Sequence, residues 1–335
     1  SVVGFGNMNA TAEAAAMRAK GISDRHFSRA NDRRRGGFVE AEGGGTVILA
    51  RGSVAAQLGL PVAGVVGFVS SYADGAHTSI PAPGLGALGA GRGGRSSRLA
   101  KALAALGVEA DDIALVSKHD TSTGANDPNE SELHTRLARA LGRSEGNSLV
   151  AVSQKTITGH AKGGAAVFQV AGLTEILASG VAPGNASLDV VDAPLAKDSF
   201  WVWPRRPIRL AGRGGEDGRV PGAGPVRAGL LTSLGFGHVS GLIAIVHPGA
   251  FEAALRQAAG QEAVDAWLAS ANARLAAGTR RRRAGMIGRA PLFEPVQGRR
   301  LGEESKQRDP HEVEAAMLLH PDARLGSDGV YHAGE

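Results

Sequence analysis

The stretch VSKHDTSTGANDPNESELHTRLARALGRSEGNSLVAVSQKTITGH (Val116–His160) decides how this chain folds. The short apolar run at Ile113–Ser117 is bounded by polar residues, which predicts a buried strand ending just before His119. A second run, at Ser148–Gln154, repeats the pattern and leads into Lys155. Ligands of open α/β sheets bind at the carboxyl ends of the strands. The stretch therefore predicts an α/β fold with basic side chains gathered at one edge of the sheet.

A helix is predicted to follow, over His160–Gly180. Apolar residues recur there at helical spacing, and Gly180 with Pro183 beyond it supplies a stop signal. The pattern places His160 at the amino terminus of this helix. Positive potential at that end disfavours the imidazolium, so we expect a neutral ring.

Three motifs resemble the β-ketoacyl-[acyl carrier protein] synthase (ketosynthase) family, in the form fused into type I fatty acid synthases. They are KHDTST around His119, SQKTITGHAKGG around Lys155 and His160, and TSLGFGH around Phe236. The resemblance runs from about Phe5 to Val246. It implies a thiolase-like fold and a decarboxylative Claisen condensation, in which malonyl-[acyl carrier protein] and an enzyme-bound acyl group give 3-oxoacyl-[acyl carrier protein].

The resemblance assigns catalytic roles to His119, Lys155 and His160. The two histidines match residues that stabilise the enolate oxygen of the substrate, where each well-placed donor contributes strongly. The lysine matches a supporting residue, and Glu130 is its expected ion-pair partner. Asp127 reads as the N-cap of the helix that carries this glutamate.

Three further positions match the binding surface of the family. Thr121 and Thr123 match residues that hydrogen-bond the phosphopantetheine arm of the carrier protein. Phe236 matches a gating phenylalanine whose backbone N–H helps to form the oxyanion hole. The resemblance implies no cofactor for this domain beyond the carrier's phosphopantetheine, and no metal-ligand spacing such as HExxH occurs.

The family's nucleophile is a cysteine upstream of the first histidine, and this chain contains no cysteine. The opening SVVGFGNMNAT resembles a cut within a domain, so we expect a carboxyl-terminal fragment of a longer protein that is inactive alone. Two alternatives remain: a non-catalytic docking or heterodimer partner, and a polyketide ketosynthase. The basic set argues against the first, and KHDTSTGANDPNES with the GRSEGN turn argues against the second.

Changes in composition predict four regions in the chain. They are the remainder of an amino-terminal ketosynthase half (1–78), a Gly/Pro-rich surface crossover (79–98), the carboxyl-terminal half with the site (99–248) and a partly helical extension (249–335). Within them we predict a strand, a glycine break and a second strand over 38–50, a buried strand within 61–72 and a hairpin over 228–246.

Composition and charge indicate which classes of molecule this protein is expected to bind. Apolar residues make up 43% and charged residues 21%, as in globular proteins, and no leader or membrane-length apolar run occurs, which favours the cytoplasm. The net charge of +5 suits an acidic acyl carrier protein, whereas nothing beyond charge supports nucleic-acid binding. The arginine run at 280–283 reads as a solvated helix end. The resemblance adds acyl and malonyl thioesters as substrates, and a homodimer within a larger synthase.

Overall fold

The computed structural model describes residues 2–74, 85–196, 200–210, 226–235 and 239–289, and the backbone of 324–325 and 331–332. Phe236, the predicted gate, lies outside these residues. The chain divides into two compact units, residues 1–49 with 62–258 and residues 50–61 with 259–335. The first unit holds every described candidate residue. The four-region division stays a prediction.

The described residues form helices of very different lengths and mostly short strands. The helices are Val2–Asn7 (α1), Ala14–Ala19 (α2), Gly52–Gln57 (α3), Arg98–Ala104 (α4), Asn126–Leu141 (α5), Lys155–Thr158 (α6), Ala165–Ser179 (α7) and Gly249–Met286 (α8). The strands are Val65–Ala73 (β1), Ile113–Ser117 (β2), Leu149–Val152 (β3), Val181–Ala182 (β4), Trp201–Val202 (β5), Ile208–Arg209 (β6), Ala228–Gly235 (β7), Val239–Val246 (β8), Arg324–Leu325 (β9) and Tyr331–His332 (β10).

In the described part of the chain, the main sheet has six strands in the order β1-β8-β7-β2-β3-β5. β2 pairs in parallel with both β7 and β3, and Leu115 lies opposite Gly229 on one side and Val150 on the other. β8 runs antiparallel to β1 and β7. The predicted strand at Ile113–Ser117, the predicted hairpin over 228–246 and the α/β class are confirmed.

Helices cover both faces of the central strands. Val116 packs in one core cluster with Leu133 of α5, and Leu115 packs in another with Leu173 of α7. Strands buried on both faces read as continuous apolar runs rather than as alternating ones. This burial explains why the sequence around β2 lacks a polar face.

The prediction of a strand, a glycine break and a second strand over 38–50 is wrong. Only isolated bridges form there, from Phe38 to Thr11 and from Glu40 to His160. Ile48 and its two neighbours are exposed, with Ile48 at 87%. Strand preference measures the fit of a side chain to a packed, pleated surface. Within the described residues no neighbouring strand supplies that surface for this segment.

Two further predictions need correction. The strand predicted within 61–72 as buried is β1, which lies at an edge of the sheet and buries only Phe68 fully. The described part of the predicted surface crossover contains a 3₁₀ helix at Gly86–Gly91, whose Ala87 and Ala90 belong to the core. Small alanines allow this tight turn to pack closely, which composition alone did not reveal.

The predicted helical extension begins with α8, which contains a break at Gly260 (φ +85°). The arginine run at 280–283 lies on the exposed last turns of this helix. No helix in the described part of the chain has the length and apolar character needed to cross a membrane.

Candidate active site

The two parallel strands at the centre of the sheet bring the basic residues together. β2 is followed by Lys118 and His119, and the neighbouring β3 is followed by Lys155 at the start of α6. The imidazole rings of His119 and His160 lie 5.4 Å apart between centroids and are nearly perpendicular, at 87°. Basic side chains thus gather at one edge of the sheet, as the sequence predicted.

Lys155 lies behind His119 and holds its ring. The ammonium donates to Nδ1 of His119 at 3.2 Å and to the carbonyl oxygen of the same residue. Burial lowers the pKa of Lys155 to about 8, against the attraction of nearby carboxylates, chiefly that of Glu130. The lysine thus keeps its proton at neutral pH. Because Nδ1 accepts from this ammonium, Nε2 of the neutral ring carries the proton.

His160 is fixed in the same tautomer by a different donor. The backbone N–H of Lys162 donates to Nδ1 of His160 at 3.1 Å, which leaves Nε2 to carry the proton. Burial, followed by the charges of Lys155 and Lys162, lowers the pKa of His160 to about 3. Burial and the Lys155 charge also hold the pKa of His119 well below its usual range. Both rings are therefore neutral donors at physiological pH.

The position predicted for His160 was wrong in one respect. The helix begins at Ala165, and a 3₁₀ turn at Lys162–Gly164 separates it from the histidine. The ring is neutral as expected, but burial and neighbouring lysines cause it rather than a helix terminus. The two glycines that follow Lys162 shorten the helix at this end.

Glu130 does not form the predicted ion pair with Lys155 within the described structure. Its buried carboxylate accepts from the backbone N–H groups of His119 and Asp120, the latter at 2.9 Å, and from the hydroxyl of Thr232. The first turns of α5 run past the end of β2, so these amides are nearer than the ammonium. The glutamate therefore fixes the main chain at the histidine.

Asp127 also differs from its predicted role. The N-cap of α5 is Ala125, and Asp127 lies within the first turn of the helix. Its buried carboxylate accepts the backbone N–H of Asn31 at 2.9 Å and lies 3.4 Å from Nε of Arg35. Thr123 supports the helix start instead, because its Oγ1 accepts the N–H of Asn126 at 3.2 Å.

A cavity of about 340 Å³ opens in front of the two imidazoles. Its lining includes His119, His160, Thr121, Thr123, Phe38 and Lys162. The threonine hydroxyls are hydrogen-bonded to each other at 2.9 Å. The ring of Phe38 lies 4.8 Å from that of His160 and gives this wall an apolar face. Four of the predicted site residues thus share one pocket, with Lys155 and Glu130 behind them.

Comparison with known proteins matches this site to a family. Residues 62–189 match the β-ketoacyl synthase C-terminal domain. Fatty acid synthase 2 of Mycosarcoma maydis is 34% identical over 333 residues, which cover 99% of this chain and 8% of that protein. A fatty acid synthase alpha subunit of Emericella nidulans is 37% identical over 247 residues, covering 73% of this chain and 15% of that protein. Residues 62–189 belong to the β-ketoacyl synthase family.

The ketosynthase fold agrees with solved structures. A ketosynthase from P. aeruginosa superposes with a TM-score of 0.72 at 26% identity, covering 86% of this chain and 43% of that one. The predicted thiolase-like fold is thereby confirmed. The chain spans a small part of the length of the fatty acid synthases that it matches.

One polar residue that joins the strands of this site was missed from the sequence. The side-chain amide of Gln169, on α7, donates to the carbonyl oxygens of Ser117, Lys118 and Thr232 at 3.0, 3.0 and 3.1 Å. It thereby connects the end of β2 and the middle of β7 to the helix that follows His160. A glutamine in an otherwise apolar helical stretch was the available signal.

The charged residues on either side of His119 were missed as well. Lys118 and Asp120 are both fully buried and form an ion pair at 2.8 Å. Buried charges are rare unless they are paired, so charges flanking a histidine after an apolar run could have indicated this cluster.

Proposed function

We propose that this chain forms the carboxyl-terminal half of a ketosynthase site that condenses acyl and malonyl thioesters within a fatty acid synthase. The proposal rests on one observation: the neutral imidazoles of His119 and His160 line the same pocket. Each has its Nδ1 occupied, by Lys155 or by the N–H of Lys162. Two Nε2–H donors are then available to one thioester oxygen, in a site that excludes much of the solvent.

The reaction requires a donor pair of this kind. The bond between the α-carbon and the carboxylate of the malonyl group breaks, CO₂ leaves, and the electron pair forms an enolate whose oxygen accepts from His119 and His160. The enolate carbon then attacks the acyl thioester carbonyl, a carbon–carbon bond forms, and the thiolate of the nucleophile leaves. This chain has no cysteine, so that nucleophile comes from outside these 335 residues and the chain alone is inactive.

The substrates arrive on an acyl carrier protein. The proposed docking side of the pocket carries Thr121 and Thr123, whose hydroxyls suit the amide groups of a phosphopantetheine arm. The net charge of +5 favours an acidic carrier. No cofactor or metal takes part in the proposed reaction.

We propose further that the ketosynthase acts as a homodimer within a larger synthase, and that this synthase is cytoplasmic.

The test uses the complete synthase polypeptide that carries this chain. Supplied with an acyl thioester and carboxyl-labelled malonyl-[acyl carrier protein], it should release one labelled CO₂ for each 3-oxoacyl product. Acyl loading without CO₂ release would contradict the proposal and favour the non-catalytic docking partner.

Replacing Thr123 with valine should raise the KM for malonyl-[acyl carrier protein] about 2- to 10-fold, the value of one hydrogen bond, with little change in kcat. The expected cause of the KM change is a lost contact to the carrier arm, since the hydroxyl of Thr123 reaches the pocket beside that of Thr121. Valine also removes the acceptor of the Asn126 N–H at the start of α5, a loss that should appear as a lower unfolding temperature. Thr123→Ser keeps the hydroxyl and serves as the matched control. An unchanged KM in Thr123→Val would remove this residue from the proposed arm-binding surface.

A further inference from the structure

The chain turns sharply in a left-handed conformation directly after His119. Asp120 has φ +38° and Ser122 has φ +60°. Residues other than glycine adopt this region uncommonly, although aspartate tolerates it better than most. The turn places His119, Thr121 and Thr123 together on the pocket wall. Whatever holds this turn therefore sets the position of the imidazole.

The carboxylate of Asp120 connects this turn to two other parts of the chain. Its Oδ2 accepts from the side-chain amide of Asn31 at 2.8 Å and from the hydroxyl of Ser153 at 2.5 Å. Its Oδ1 lies 2.8 Å from the ammonium of Lys118. Ser153 stands just after β3 and just before Lys155. One carboxylate thus joins the end of β2 to the end of β3.

Lys118 completes the cluster from the other side. Its ammonium donates to the side-chain oxygen of Asn31 at 2.8 Å and to the hydroxyl of Ser131 at 3.0 Å, and it lies 5.0 Å from the ring centre of Trp203. A buried ion pair contributes little net stability compared with apolar residues of the same volume. Stability alone therefore gives no reason for charges at these two positions.

We propose that Asp120 is a positioning residue of the ketosynthase site. Its carboxylate, held by Lys118, Asn31 and Ser153, fixes the left-handed turn that presents His119 to the pocket and keeps that turn in register with Lys155. The proposal rests on the condensation activity proposed above, and it assigns Asp120 no contact with substrate.

The first test replaces Asp120 with glycine in the complete synthase. Glycine adopts the left-handed conformation without strain, so the turn keeps its allowed geometry and loses only the carboxylate. We expect kcat for malonyl decarboxylation to fall about 10- to 50-fold through misplacement of the imidazole. The KM for malonyl-[acyl carrier protein] should rise by a smaller factor, because Thr121 and Thr123 lie on the same turn. The control Glu132→Gln removes an exposed ion pair with Arg136 on α5 and should leave both constants unchanged.

A second variant separates positioning from stability. Asp120→Gly alone leaves the Lys118 ammonium buried without its carboxylate, which could unfold the domain. Lys118→Met combined with Asp120→Gly removes both charges, so thermal unfolding should return toward that of wild type. We expect kcat to remain reduced in this double variant. Recovery of wild-type kcat together with stability would overturn the proposal, as would full activity of Asp120→Gly.

Failure of this inference differs from failure of the proposed function. Were the wild-type synthase to release no CO₂ at this site, the condensation activity itself would be refuted. Were wild type active and Asp120→Gly equally active, only the positioning role of Asp120 would be refuted.

Discussion

Replacing His160 with alanine should lower the rate of malonyl decarboxylation by about 100- to 1,000-fold, the usual cost of one lost oxyanion donor. The backbone N–H of Lys162 fixes the tautomer that makes Nε2 a donor. The ring also packs 4.8 Å from Phe38 and 5.4 Å from His119, so no other group in the described pocket takes its place without rearrangement. The rate of labelled CO₂ release from the complete synthase measures the effect.

Two comparisons make this prediction specific for the His160 donor. His160→Gln retains an N–H donor and should lose less activity than His160→Ala. His26→Ala removes a histidine whose Nδ1 contacts Ser23 and which does not line the pocket, so it should leave the rate unchanged. A rate for His160→Ala within threefold of wild type would refute the role proposed for both imidazoles.

Replacing Lys155 with methionine should reduce kcat for decarboxylation by about 100- to 1,000-fold, because an imidazole in the wrong tautomer loses its function. The ammonium is the group that donates to Nδ1 of His119, and it also holds the carbonyl of that residue. Methionine fills similar space without a donor. Lys101→Met, on the exposed side of α4, is the matched control and should behave as wild type.

The ammonium of Lys155 should also set an alkaline limit to the rate of decarboxylation. Its pKa, lowered to about 8 by burial, means that the proton is lost as the pH rises through that value. The rate of wild-type decarboxylation should therefore fall above about pH 8, since a neutral amine is a weaker donor to His119. Lys155→Met should lack this limb of the pH profile. A limb of equal size in the variant would assign it to another group.

The sequence predicted the strands that other parts of the first compact unit bury. β2, β7 and β8 are mainly apolar runs bounded by turn residues, and neighbouring strands and helices cover them. The segment over 38–50 ends in a similar apolar run, at 46–50, but has no strand beside it in the described chain, so its strand preference was not realised. Local pattern predicts a strand only where a neighbour completes it.

The residues that line the pocket were predictable from the sequence, whereas the buried Lys118, Asp120 and Gln169 behind them and the hydrogen bonds of the site were not. His119 and Lys155 follow adjacent parallel strands, so topology brings them together. The partner of Glu130 depends instead on distances of a few ångströms between a helix turn and the amides after β2. Spacing in sequence does not resolve such distances, which is why an ion pair with Lys155 was expected.

Lysine-directed chemical labelling should spare both lysines of this pocket, Lys155 and Lys162. Lys155 is 1% exposed and its ammonium is occupied by two groups of His119, so an acylating or reductive-alkylating reagent has no approach to it. Lys162 lines the cavity with part of its side chain exposed, but its ammonium is itself buried, paired with Glu40 and 4.0 Å from the ring centre of Phe38. Peptide mapping after brief modification should therefore find Lys155 and Lys162 unmodified when the exposed Lys101 is already labelled. A covalent probe for this site would have to react with a group other than these two amines.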